Sequence, residues 1–248
     1  LLTKFGLVWD GSNNGAGEHF FDAENDGKAV PIYRYSTKAS IIKEVEESLK
    51  RLDTDYIDLL QQHWPDPTTA IDEAMEAITQ LIRDGKILAA GLSNADTMLI
   101  EKASAIHQPA SNQVSFSMLN RGIQKDLIPY ALEKNIGIIA YSPMERGLLS
   151  GKYFNNEKLK ADDHRNGYFG QFDLDAVKSF LESIAPLAKE KNASIAQLVL
   201  RWTTLQEGIT VVLAGARNAE QAIANAAAMD LEISKEELDF IDGELEKL

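Results

Sequence analysis

Several points along the chain carry side chains able to bind or polarise a ligand. They are Lys4, His63, the pair Ser93–Asn94, Gln113, the pair Tyr141–Ser142, and Arg217 shortly after Gly215. An ammonium group stabilises developing negative charge, and an imidazole titrates near neutral pH. Asn and Gln amides offer a donor and an acceptor together. Arginine forks around a phosphate. Each residue alone also has an ordinary reading. Lys4 is then a solvated strand end, His63 a core imidazole, Asn94 a helix cap, Tyr141 a core aromatic and Arg217 a surface charge. Their common placement argues for more, because nearly all stand at or just beyond the C-terminal end of an expected strand. That rim is where α/β barrels assemble their active sites.

The elements that would position them read as alternating strands and helices. Leu1–Phe5 reads as a strand, and residues 6–34 as a long polar loop. Thr37–Leu52 is an amphipathic helix with Ile41, Ile42, Val45, Leu49 and Leu52 on one face, capped by Ser36 or Thr37. YIDLLQQHWPD (56–66) is a buried strand that ends at His63. Helix 69–84, strand 86–94, helix 95–107, strand 113–119 and helix 123–134 follow. IGIIAYS (136–142) is the strongest buried strand, and 143–170 a long loop. Helices 174–192 and 194–207, strand 209–214, and helices 218–229 and 234–248 close the chain. Such alternation implies parallel strands joined by right-handed crossovers. The expected fold is α/β, a (β/α)8 barrel incomplete at about six βα units, in a single domain spanning residues 1–248. Leu1–Phe5 and Ile209–Ala214 are accordingly not expected to pair. No Gly-x-Gly-x-x-Gly follows the first strand, which argues against a doubly wound dinucleotide fold.

Bulk properties narrow the classes. The 248 residues carry a formal charge of −13, which disfavours nucleic acid and anionic membranes as partners. There is no cysteine, hence no thiol nucleophile, and no metal ligand set is read. No apolar run spans a bilayer and no signal peptide is visible, so a cytoplasmic enzyme is the default. The chain opens on Leu1 without an initiator Met, and residues before it are expected.

The segments TKFG, SLKRLDTDYIDLLQQHWPD, DGKILAAGLSN, AYSPMERGLLSGK and AGARNAEQAIANA, in this order, closely resemble the aldo-keto reductases. The long SPMERGLLSGK loop is similar to that of the bacterial, plant and potassium-channel-β-like branch. The resemblance implies a barrel that binds NADPH and transfers hydride to a small-molecule carbonyl substrate. It makes Lys4 and His63 catalytic. The family's Asp and Tyr precede the lysine and have no counterpart in this chain, so the proton donor is the missing part. Ser93, Asn94 and Gln113 would hold the nicotinamide carboxamide, and Tyr141 would stack on its ring. Ser142, Pro143, Met144, Arg146, Gly147, Leu149, Ser150 and Lys152 would cover the pyrophosphate. Gly215, Ala216, Arg217, Gln221 and Asn225 would meet the adenosine end, with Arg217 on a 2′-phosphate and starting the following helix. Trp64, Trp9 and the Tyr168–Phe172 segment would wall the substrate. Two other readings stand beside this one. One is a nucleotide-binding pseudoenzyme or regulatory subunit of the same family. The other is a phosphate-site aldolase barrel with Lys4 as a Schiff base.

Overall fold

The structure is a computed structural model that describes residues 1–154 and 159–248. Part of the expected 143–170 loop therefore lies outside the described residues. The chain divides into two compact units, residues 1–114 with 125–138 and residues 115–124 with 139–248.

The first unit opens with β1 (Leu2–Phe5) and β2 (Leu7–Val8). The expected long loop is in fact a hairpin, β3 (Glu18–Asn25) and β4 (Lys28–Arg34). Asn25 pairs with Lys28, leaving Asp26 and Gly27 as a two-residue turn with φ +50° and +73°. Asp-Gly is a preferred pair where both turn residues need positive φ, so the cue was present. A register shift between His19 and Phe21 extrudes Phe20 from the ladder.

Helix α1 (Lys38–Leu52) follows, capped by the Thr37 hydroxyl, which accepts the Ser40 N–H. Its buried stripe is Ile41, Val45, Ser48 and Leu49. Next come β5 (Ile57–Gln62), α2 (Ile71–Arg83), β6 (Ile87–Ser93), α3 (Thr97–Ser104), β7 (Ser111–Ser115) and α4 (Leu127–Glu133). Burying side chains such as Ile57, Leu60, Ile78 and Leu92 contributes roughly 1.5–3 kcal/mol each. Gly91 stands where β6 and β7 approach closely; a methyl group there would lie 2.4 Å from Ser111 Oγ.

The chain continues through β8 (Gly137–Tyr141) into the second unit, which holds α5 (Arg165–Phe169), α6 (Leu174–Glu190), α7 (Ile195–Thr204), β9 (Ile209–Val212), α8 (Ala219–Ala227) and α9 (Lys235–Leu245). Its core is built on Phe116, stacked with Trp202 at 6.1 Å, and on Phe180, Leu181, Ile184, Leu198 and Ile241. The Trp202 indole N–H donates to Asp242 at 2.8 Å, so the polar edge of this buried ring is satisfied. Capping boxes at Ser194–Gln197 and Ser234–Glu237 start α7 and α9.

Hydrogen bonding orders the six main strands β1-β5-β6-β7-β8-β9, with β1–β5, β5–β6 and β6–β7 parallel. The fold is α/β, as expected. No helix among the described residues is long and apolar enough to cross a membrane.

Candidate functional site

In the first unit, Lys4 pairs in register with Gln61, and the His63 N–H donates to the Phe5 carbonyl at 2.9 Å. Lys4 on β1 and His63, just beyond the end of the adjacent parallel strand β5, both line a cleft of about 660 Å3. No ion pair reaches the Lys4 ammonium among the described residues, and burial lowers its pKa. Burial, then the Lys4 charge, lowers the pKa of His63 from its ordinary value, so the imidazole is neutral at pH 7.

Trp9 lines the same cleft and is 61 % exposed, whereas Trp64 packs on the extruded Phe20 at 5.2 Å. The Arg34 guanidinium lies 4.9 Å over the other contact of that ring system, the face of Phe20. The sequence points to Trp64 but not to Phe20, because a bulge is set by register and leaves no signature in residue spacing. Glu44, which is not among the residues of the expected apolar face of its helix, is a second residue the sequence did not single out. It lines the cleft, and its carboxylate accepts the Gly6 N–H at 2.9 Å and the Ser40 hydroxyl at 3.1 Å. Burial pushes its carboxyl up to about 7.

Ser93, Asn94 and Gln113 form one hydrogen-bonded group. The Ser93 hydroxyl and the Asn94 backbone N–H both donate to the Gln113 carbonyl, at 2.8 and 2.9 Å. The Asn94 side-chain amide donates to Ser93 Oγ at 3.1 Å and to the His63 carbonyl at 3.2 Å. The Gln113 side-chain carbonyl is different. It is buried and has no hydrogen-bond partner among the described residues. An unmet buried acceptor is rare and costs roughly 1–3 kcal/mol. It fits a site completed by an N–H from a ligand such as a carboxamide.

In the second unit, Tyr141 ends β8 and is half-buried; burial, then Glu145, raises its hydroxyl pKa. The following loop is conformationally unusual. Ser142, Glu145, Arg146 and Gly147 have φ of +58°, +44°, +55° and +95°. Only the last is glycine, and left-handed backbone costs other residues roughly 1–2 kcal/mol each. Three consecutive left-handed residues persist because the surroundings hold them. Glu145 is fully buried and accepts from the Ser117 and Tyr168 hydroxyls. The Arg146 guanidinium lies 3.8 Å over the Tyr168 ring. The Ser150 hydroxyl donates to the Gly147 carbonyl at 2.6 Å.

Other expected phosphate-loop residues divide by exposure. Pro143 and Leu149 are buried, Leu149 in the hydrophobic core, so its side chain serves packing. Met144 packs against that core, and Lys152 lies 4.7 Å over the Tyr153 ring. Tyr168 was expected in an apolar wall, but its hydroxyl is engaged by Glu145. Glu145 itself was missed: a charged residue in a loop reads as solvated, and only its apolar neighbours hinted otherwise.

The adenosine-end residues lie in the turn before α8 and on α8 itself. The Asn225 amide donates to the Gly215 carbonyl at 3.2 Å, and the Arg217 N–H donates to the Gln221 side chain at 2.8 Å. Gln221 and Asn225 therefore shape the 215–217 turn, which also carries Ala216. Arg217 does not begin the helix: Asn218 is the N-cap, its side chain accepting the Gln221 N–H, and Arg217 precedes it with an exposed guanidinium. A strong cap had claimed the helix start.

A family model for the Aldo/keto reductase family matches residues 20–246. The chain is 35 % identical over 200 residues to the aldo-keto reductase YhdN of Bacillus subtilis, covering 79 % of this chain and 60 % of that protein. It is 30 % identical over 235 residues to the NADH-specific methylglyoxal reductase of Escherichia coli, covering 94 % of this chain and 70 % of that one. Among solved structures, the glycerol dehydrogenase AKR11B4 of Gluconobacter oxydans superposes with a TM-score of 0.87 at 31 % identity, over 99 % of this chain and 72 % of that one.

Proposed function

The chain belongs to the aldo/keto reductase family, and we propose that it transfers hydride between NADP(H) and a small aldehyde or ketone. The observation that carries the proposal is the Gln113 side-chain oxygen, buried and without a donor among the described residues, on the residue whose backbone carbonyl accepts from Ser93 and Asn94. A nicotinamide carboxamide offers the N–H that this acceptor lacks. The bound nicotinamide would supply the hydride.

The residues of the chain have the remaining work. His63, neutral because of burial and Lys4, keeps one ring N–H to donate to the carbonyl oxygen. The Lys4 ammonium shares its cleft and favours the negative charge that grows on that oxygen. Ser93, Asn94 and Gln113 would orient the carboxamide, and Tyr141 would back the ring. Ser142, Arg146, Gly147, Ser150 and Lys152 would meet the phosphates. Trp9, with Trp64 supported by Phe20, would shape the substrate side. Arg217, an exposed cation on a turn tied down by Gln221 and Asn225, supports NADP(H) over NAD(H) through the 2′-phosphate.

A second reading is favoured by one observation: among the described residues, no tyrosine lines the cleft of Lys4 and His63. In that case the chain binds the dinucleotide but turns over slowly, as a nucleotide-responsive partner. NADPH titration by fluorescence, followed by an NADPH-consumption assay with 4-nitrobenzaldehyde, separates the two. Binding with turnover supports the reductase, binding alone the second reading, and no binding removes both.

A further inference from the structure

Arg146 and Arg165 stand in contrast. Arg165 is neutralised by Asp163, with contacts at 2.8 and 2.5 Å. Arg146 has no carboxylate partner among the described residues, yet its guanidinium lies over an aromatic ring, 3.8 Å from the ring centre. A ring orients a cation without cancelling its charge, which leaves that charge available to an anion. The ring belongs to Tyr168 on α5, and its hydroxyl is tethered to Glu145, the residue just before Arg146. Glu145 is in turn anchored by Ser117, whose own oxygen accepts the Leu119 and Asn120 N–H groups at 3.1 and 3.0 Å. The chain Ser117–Glu145–Tyr168 therefore fixes both the backbone turn that carries Arg146 and the surface its guanidinium rests on.

Plain packing does not account for this arrangement. Phe169, the next residue, is the one that enters the core, while Tyr168 stays half-buried with its hydroxyl turned to a carboxylate. We propose that Tyr168 is a positioning residue for Arg146, holding the guanidinium in its left-handed turn where it meets the phosphate groups of a dinucleotide. The proposal rests on the dinucleotide reading above, and gives a residue outside the phosphate loop control over that loop.

The test is a double-mutant cycle on the full chain, read as NADPH affinity by fluorescence titration. Adenosine 2′-phosphate, which has no pyrophosphate, is titrated in parallel. Arg146→Ala should weaken NADPH roughly tenfold, as loss of one charge-assisted contact does. Tyr168→Leu should weaken it roughly fivefold. In the Arg146→Ala background, Tyr168→Leu should add nothing further, since its effect passes through the arginine. Adenosine 2′-phosphate should bind all variants alike. Equal losses from Tyr168→Leu in both backgrounds, or a matching loss for adenosine 2′-phosphate, would overturn the proposal in favour of a general folding role. Tyr168→Phe keeps the ring, releases the tether and should give an intermediate loss; it decides the question where Tyr168→Leu fails to fold. Wild-type chain that does not bind NADPH would sink the dinucleotide reading itself. Wild-type binding that Tyr168→Leu and Tyr168→Phe leave intact would sink only this inference.

Discussion

The side-chain amide of Asn94 donates to the backbone carbonyl of His63 at 3.2 Å, tying the end of β6 to the end of β5. This bond links a residue proposed to hold the carboxamide to the backbone of the residue that carries the candidate catalytic imidazole. It also explains why an asparagine occupies a backbone position with φ +58°, where asparagine is tolerated better than most residues. Asn94→Ala should lose the side-chain hydrogen bonds to the His63 carbonyl and Ser93 Oγ and add backbone strain, costing about 2 kcal/mol or more. Asn94→Gly should lose the side-chain bonds without the strain, and so cost less. Urea midpoints for the two variants test the order; alanine proving no worse than glycine would count against the strain argument.

His63→Ala should reduce carbonyl turnover by about 10²–10⁴-fold, the contribution of a positioned donor or acid, while leaving NADPH affinity nearly unchanged. Because burial and Lys4 lower the imidazole pKa, wild-type turnover should stay level through neutral pH and change only under more acidic conditions. The same shift bears on stability. The unfolded chain binds the His63 proton more readily than the folded one, so this histidine favours folding at neutral pH and loses that effect as pH falls. Rate–pH profiles of wild type, beside single-turnover rates of the variant, check both statements.

Glu44 acts with the opposite sign. Its carboxyl titrates at about 7 when folded against an ordinary 4.5, so between these values the folded chain holds more protons than the unfolded one. Its contribution to stability is therefore complete below about 4.5 and disappears as pH rises through 7, amounting to roughly 3 kcal/mol. Wild type should lose urea resistance between pH 5 and 8 by about this amount. Glu44→Gln, which preserves an acceptor for the Gly6 N–H, should flatten the slope. An unchanged slope in the variant would place the titration elsewhere.

Arg217→Ala should weaken NADPH roughly tenfold and leave NADH unaffected, because only the former carries a 2′-phosphate. Paired titrations with the two cofactors measure this directly. A similar loss for both would assign Arg217 to the turn rather than to the phosphate.

Much of the architecture was legible because buried parallel strands leave apolar runs: IDLL in β5, ILAAGL in β6 and GIIA in β8 were all readable. The hairpin β3–β4 was not, since HFFDAEN and KAVPIYR mix polar and apolar residues without clean alternation. Its Asp26–Gly27 turn was the one local signal. In the candidate site, Lys4, His63, Ser93, Asn94 and Gln113 were proposed from strand ends and resemblance. Phe20, Glu44 and Glu145 could not, because a bulge, a half-turn of helix facing and a buried loop carboxylate are decided by tertiary packing. Arg217 was expected to begin the helix but precedes it by one cap, since Asn218 competes for the helix start with a side chain better suited to it.

The Gln113 side-chain oxygen, shut away from solvent and without a donor among the described residues, would let a dinucleotide site discriminate by polarity as well as by shape. Presented with a dinucleotide that bears nicotinic acid instead of nicotinamide, two lone-pair faces would be brought together. The deamidated molecule is almost the same size, yet the chain should refuse it by roughly 1–3 kcal/mol. A single buried atom would thereby let this scaffold tell an amide from an acid.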